Sequence, residues 1–140
     1  MVEIILLSSF KHVYHDIAAF TLNEYGKTTL KKLTEEFITI TKRLSSYPTS
    51  FPEERLLKNM PYKYRSIIFR KNFKIIYRYE DETNTIFLID IWDMRMDSKN
   101  IIKNFKQHNV PLLRGIEQGD VFMYWLFLHQ IYNVGISILS

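Results

Sequence analysis

The residues with the clearest capacity for chemistry lie between Arg55 and Arg78. Eight bases fall there (Arg55, Lys58, Lys63, Arg65, Arg70, Lys71, Lys74 and Arg78), with no acid among them. The 140-residue chain carries a formal net charge of only +4, so this block is a local concentration of charge. A block of this kind suits an anionic partner such as nucleic acid or an acidic peptide. A solvated edge strand guarded by lysines has the same composition, and charge alone leaves both readings open. The four histidines are His12, His15, His108 and His129. His12 and His15 are three apart, a spacing that permits a metal pair on a helix. No carboxylate or third histidine converges on them, so solvated helix histidines are expected, with no metal and no cofactor. Cysteine is absent. That excludes disulfide scaffolds and thiolate metal sites and makes a reducing cytoplasm the natural compartment.

These side chains need elements to position them. Residues 2–7 form a short apolar run that reads as a buried strand. Ser8 or Ser9 can cap a following helix by accepting from its orphan N–H groups. Val13, Ile17 and Phe20 then repeat at helical spacing up to Gly26, a residue suited to ending a helix because it tolerates the left-handed conformation. Thr28 or Thr29 can start a second helix. Its stripe of Leu30, Leu33, Phe37, Ile40 and Leu44 is the clearest in the sequence, and Lys31, Lys32, Glu35, Glu36, Lys42 and Arg43 take the other face. Two such helices joined at Gly26 predict an antiparallel hairpin. Residues 45–61 carry three of the four prolines and read as a loop. After it the period switches to two. The runs 64–70, 73–79 and 86–92, rich in Ile, Phe and Tyr and separated by polar turns, predict an antiparallel meander. The order is β-α-α-β-β-β. It implies an α+β fold with the helix hairpin packed on one face of a mainly antiparallel four-stranded sheet. An apolar content of 46% is enough to build that core.

The first hairpin can be given a register. With Lys71 and Asn72 as the turn, Arg70 faces Phe73, Phe69 faces Lys74, Ile67 faces Ile76 and Arg65 faces Arg78. Alternation then gathers Arg65, Ile67, Phe69, Lys74, Ile76 and Arg78 on one sheet face. Three bases there would form an anion-binding groove. The alternative is that Arg65 and Arg78 lie at the sheet rim and reach into water.

The opening Tyr64-Arg65, the run Phe73-Lys74-Ile75-Ile76-Tyr77 and the apolar strand that ends Trp92-Asp93-Met94-Arg95 together resemble the RelE/ParE superfamily of bacterial toxins. The resemblance covers about residues 2–105, which implies a toxin domain at 1–106 followed by an apolar tail at 107–140. It implies the toxin component of a type II toxin–antitoxin module, with a cognate antitoxin as partner. In the ribonuclease branch, basic residues hold messenger RNA on the ribosome and stabilise 2′-hydroxyl attack on the adjacent phosphate. The resemblance puts Arg65, Lys74 and Arg95 in that catalytic role, with Lys63 and Arg78 assisting in RNA or anion binding. Arginine suits the task because it is permanently charged and forked to match phosphate. The sequence departs from that branch at Ile67, where a base is common. It departs again beyond Arg95, where Asp97, Ser98, Lys99 and Asn100 replace an expected tyrosine or histidine. The other branch, non-nuclease inhibitors of DNA gyrase, needs no such groups, and its helix hairpin is long, as it is here. An inactive relative that only binds its antitoxin is the third reading.

The tail is different in kind. Residues 121–139 contain no charged side chain, within the length of a membrane-spanning helix. However, His129, Gln130, Asn133 and Gly135 interrupt the run and no basic cluster flanks it, so a membrane role is not the expected one. A helix packed on the sheet or on a partner is expected instead, with a tail not native to the family as the other reading, and Trp125 and Phe127 predict association or poor solubility.

Overall fold

The computed structural model describes residues 2–109. The expectations for the tail, its packing, its membrane role and the exposure of Trp125 and Phe127, lie outside the described residues. Four strands, β1 (Glu3–Leu6), β2 (Arg65–Phe69), β3 (Phe73–Glu80) and β4 (Thr85–Asp93), form one sheet in the order β1-β4-β3-β2. β1 runs parallel to β4, while β2–β3 and β3–β4 are antiparallel. The α+β architecture is the predicted one.

Helix α1 (Ser8–Ser46) is interrupted at Gly26, whose φ of 86° and ψ of −179° belong to neither helix. The chain reverses there. Along a straight helix Tyr14 and Phe37 would stand roughly 35 Å apart, yet their ring centroids are 4.7 Å apart. Phe10 likewise meets Phe37 at 5.8 Å. The predicted helix hairpin is therefore present, and Gly26 is its hinge. A Cβ at position 26 would meet nothing within 4 Å, so the constraint is wholly in the backbone. Gly26→Ala is expected to cost about 1–3 kcal/mol, the usual strain of a side chain at such a φ. A lower urea midpoint with an unchanged slope would show it.

The second arm buries Leu30, Leu33, Phe37, Ile40 and Leu44, as its spacing predicts. They pack with Phe10, Tyr14, Ile67, Phe69, Ile75, Tyr77, Ile86, Leu88 and Ile91 in the main core. A second, smaller core lies on the other sheet face, where Ile76, Phe87, Ile89 and Trp92 meet Leu57, Tyr64, Ile101 and Phe105. A bulge serves both cores. Ile76 pairs with Asp90 and Tyr77 with Leu88, so Ile89 is the extra residue. The extra residue shifts the alternation, so Leu88 and Ile91 face one core and Ile89 and Trp92 the other.

Several local expectations need correction. Leu7, not Ser8 or Ser9, occupies the cap position of α1, with no side-chain cap. The Ser9 hydroxyl instead donates to the Ile89 carbonyl and ties the helix start to β4. Phe20 continues the first stripe in sequence but is 58% exposed. The loop after α1 contains a 3₁₀ turn at Arg55–Leu57. The register of the first hairpin is also displaced by one residue. Phe69 pairs with Phe73, Ile67 with Ile75 and Arg65 with Tyr77, leaving Arg70, Lys71 and Asn72 as a three-residue loop. Arg70 and Lys71 both have positive φ, and the Asn72 N–H donates to the Arg70 carbonyl at 2.7 Å. Non-glycine residues rarely adopt that conformation, so nothing in their identity announces the third loop residue.

The last helix, α2 (Ser98–Asn109), starts where Asp97 accepts the Lys99 N–H at 3.1 Å, a side-chain cap. Asp97 is one of the residues standing where the ribonuclease pattern expects a tyrosine or histidine. Among the described residues, no helix is long and apolar enough to cross a membrane.

Candidate functional site

The one-residue displacement decides where the cations go. Paired residues share a sheet face, so Arg65, Ile67 and Phe69 share theirs with Phe73, Ile75 and Tyr77, toward the helix hairpin. Lys74, Ile76 and Arg78 point to the opposite face. Arg65 and Lys74 are thus separated by the sheet, and the groove expected from the two-residue turn does not form.

Each predicted cation has its own partner. Arg65, half-buried, donates from Nη1 to the Phe51 carbonyl at 2.6 Å. Lys63 is exposed and lies 3.4 Å from the Glu53 carboxylate. Lys74 donates to Glu54 at 2.7 Å, and the Glu54 side chain is 2% exposed. Arg78 is buried, with its guanidinium over the rings of Tyr62 and Phe87. Arg95 is exposed and grips Asp93 with two parallel bonds, Nε to Oδ1 at 2.9 Å and Nη2 to Oδ2 at 2.8 Å. That fork holds the Asp93 carboxyl below the usual carboxylate range.

Glu54 was not singled out by sequence, although it stands immediately before the basic block. Burial pushes its carboxyl up, but the Lys74 ammonium, the Leu56 N–H and the Ser66 hydroxyl together bring it below its ordinary value of 4.5. A depressed folded-state value stabilises the fold above the unfolded value. That contribution is lost as pH falls through the folded one. Stability is therefore expected to drop below about pH 4.5, and Glu54→Gln should flatten that part of the profile. Urea midpoints collected between pH 6 and pH 3 check this.

Tyr77 is part of the main core and Tyr79 packs against it. Burial raises the Tyr77 hydroxyl to about 12, and it donates to the Pro48 carbonyl at 2.8 Å. The Tyr79 hydroxyl bonds Asn84. His12 lies 3.6 Å from Asp16 on an exposed helix face. Among the described residues, no group of three metal-ligating side chains converges.

The structure does bring two cations together elsewhere. A cleft of about 530 Å³ opens between the tip of the helix hairpin and the β2–β3 loop. Its lining includes Phe20, Tyr25, Arg70, Phe73 and Arg95, with Asp16 the acid among them. Phe20 and Tyr25 form an edge-on pair 6.1 Å apart, exposed by 58% and 66%. The Arg70 backbone N–H donates to Glu36 at 2.7 Å, which fixes the β2–β3 loop against the second arm. Exposed aromatic rings beside arginines are the side chains that dominate protein–protein contacts. The signal available in the sequence was Phe20 and Tyr25 close to Gly26, where a hairpin tip must project.

Residues 4–98 match the family model described as the ParE toxin of the type II toxin–antitoxin system parDE. The chain has no match among curated proteins. The matched span takes in the helix hairpin and all of the sheet except Glu3. The chain belongs to the ParE toxin family of type II toxin–antitoxin systems.

Proposed function

We propose that the protein arrests growth by binding a protein target, DNA gyrase, and not by cutting RNA. The observation that supports this reading is the dispersal of Arg65, Lys74 and Arg95. Cleavage through a 2′-hydroxyl needs cations on the non-bridging oxygens and two proton-transfer groups around a single phosphate. Here Arg65 and Lys74 lie on opposite sheet faces, Lys74 is paired with Glu54, and Arg95 with Asp93. The hairpin-tip cleft supplies a working surface of the other kind, with Phe20 and Tyr25 as anchors and Arg70 and Arg95 beside them. Family membership implies a cognate antitoxin, and masking this cleft is one way in which it would neutralise the toxin.

The test is induced expression in a bacterial host, with growth, messenger RNA integrity and plasmid supercoiling followed together. Growth arrest with intact messenger RNA and accumulating DNA breaks is the expected result. Codon-phased cuts in messenger RNA would overturn the reading. Phe20→Ser with Tyr25→Ser is expected to abolish arrest while changing stability by no more than about 0.5 kcal/mol per site, because both rings are exposed. Undiminished arrest by that double variant would remove the cleft from the mechanism.

A further inference from the structure

Arg78 is used neither by the cleft nor by the ion pairs that hold the loop. It sits on β3, on the sheet face away from the helix hairpin, and is only 9% exposed. Its guanidinium carbon lies 4.3 Å from the centroid of the Tyr62 ring and 4.5 Å from that of Phe87. The rings hold the planar cation by their faces and do not satisfy its Nε–H. Arg78 Nε is buried without a hydrogen-bond partner, and so is the hydroxyl of Tyr64. Among the described residues no carboxylate pairs with Arg78. A buried charge without an opposite charge is costly, and ring faces offset only part of the loss.

We propose that Arg78 and the Tyr64 hydroxyl form a binding site for a carboxylate, closed on its outer side by Tyr62. A carboxylate fits for three reasons. It is planar and accepts two parallel N–H bonds from a guanidinium edge. Its single negative charge matches a single fixed cation. A phosphate, tetrahedral and near-dianionic, would call for a second fixed cation. Tyr62 is 42% exposed and can move aside. Tyr62 and Tyr64 also line a cleft of about 170 Å³, where Lys58 and Lys63 stand against Glu53 and Glu54, so the fixed charge of the site is that of Arg78 itself. Electrostatics are consistent with the pairing of the two groups. Burial raises the Tyr64 hydroxyl to about 12 while the Arg78 charge pulls it down, so it stays a neutral donor. The carboxylate can belong to a small free acid or to an acidic side chain of a polypeptide, and the measurement separates the two.

The full chain, labelled for detection of arginine Nε–Hε signals, is titrated at constant ionic strength with sodium acetate, tetraglutamate, sodium phosphate and sodium chloride. The Arg78 signal is expected to move saturably with acetate and not with chloride. Tighter response to tetraglutamate identifies a polypeptide source, and equal or weaker response a free acid. Tyr64→Phe, which removes only the hydroxyl, is expected to weaken acetate binding about fivefold. A flat titration, the same response to chloride as to acetate, or tighter binding of phosphate than of acetate overturns the proposal. Acetate affinity unchanged in Tyr64→Phe removes the hydroxyl from the site.

Discussion

Replacing Lys74 with methionine is expected to lower the unfolding free energy by about 3 kcal/mol. The loss comes less from the removed attraction than from what is left behind. Glu54 has a side chain 2% exposed, and without Lys74 its carboxylate keeps only the Leu56 N–H and the Ser66 hydroxyl. Breaking a buried pair by deleting one partner typically costs about 3–5 kcal/mol, and the lower end applies because Lys74 is 21% exposed. Glu54→Leu combined with Lys74→Met removes both charges, so at least half of that loss should return. The pair also separates structure from chemistry. If Lys74 only anchors the loop, the double variant still arrests growth. If Lys74 works on a phosphate, arrest is lost however stable the double variant is. Urea unfolding and growth curves of the two variants, read side by side, decide it.

Phe37→Ala is expected to have an effect at least as large, about 3–5 kcal/mol. Phe37 is fully buried, and its ring meets those of Phe10, Tyr14 and Phe69 at 5.8, 4.7 and 6.3 Å. It is the point where the two arms of the hairpin and the sheet come together. Truncation leaves a cavity bounded by three rigid rings on two different segments, the first arm and β2, which cannot close without moving the arms. For a domain of about a hundred residues the melting temperature should fall by at least ~12 °C. Phe20→Ala, on the same helix hairpin but exposed at its tip, should change it little. A small shift for Phe37→Ala would mean that the hairpin packs on the sheet less tightly than the ring distances indicate.

The sequence was most legible where burial is periodic. Leu30, Leu33, Phe37, Ile40 and Leu44 lie on one stripe and in one core, because apolar area leaving water dominates the energetics there. Gly26 was legible because its conformation is closed to other residues. The first β-hairpin was harder. Its displacement rests on Arg70 and Lys71 at positive φ, a choice made by the fit of Phe69 and Phe73 to their neighbours and by the bond from Arg70 N–H to Glu36. Those are tertiary causes with no local mark in the sequence. One residue of error moved every side chain of β3 to the other face relative to β2. It therefore placed Arg65 and Lys74 together when the sheet separates them. Ser9 failed as a cap for a similar reason, since a carbonyl on β4 was the better acceptor for its hydroxyl. The hairpin-tip cleft draws on residues 16 to 95, and no stretch of sequence displays it.

The pairing of β1 with β4 has a consequence in time. β1 leaves the ribosome well before its neighbour exists, because Glu3 pairs with Thr85 and Leu6 with Leu88. Synthesis of the roughly eighty residues between them takes about 4–16 s at ordinary elongation rates. Throughout that interval the helix hairpin can form locally, but the sheet it must cover is incomplete. Contacts so distant along the chain also slow the final closure. A partner that meets the nascent chain during that delay therefore meets an unfinished surface.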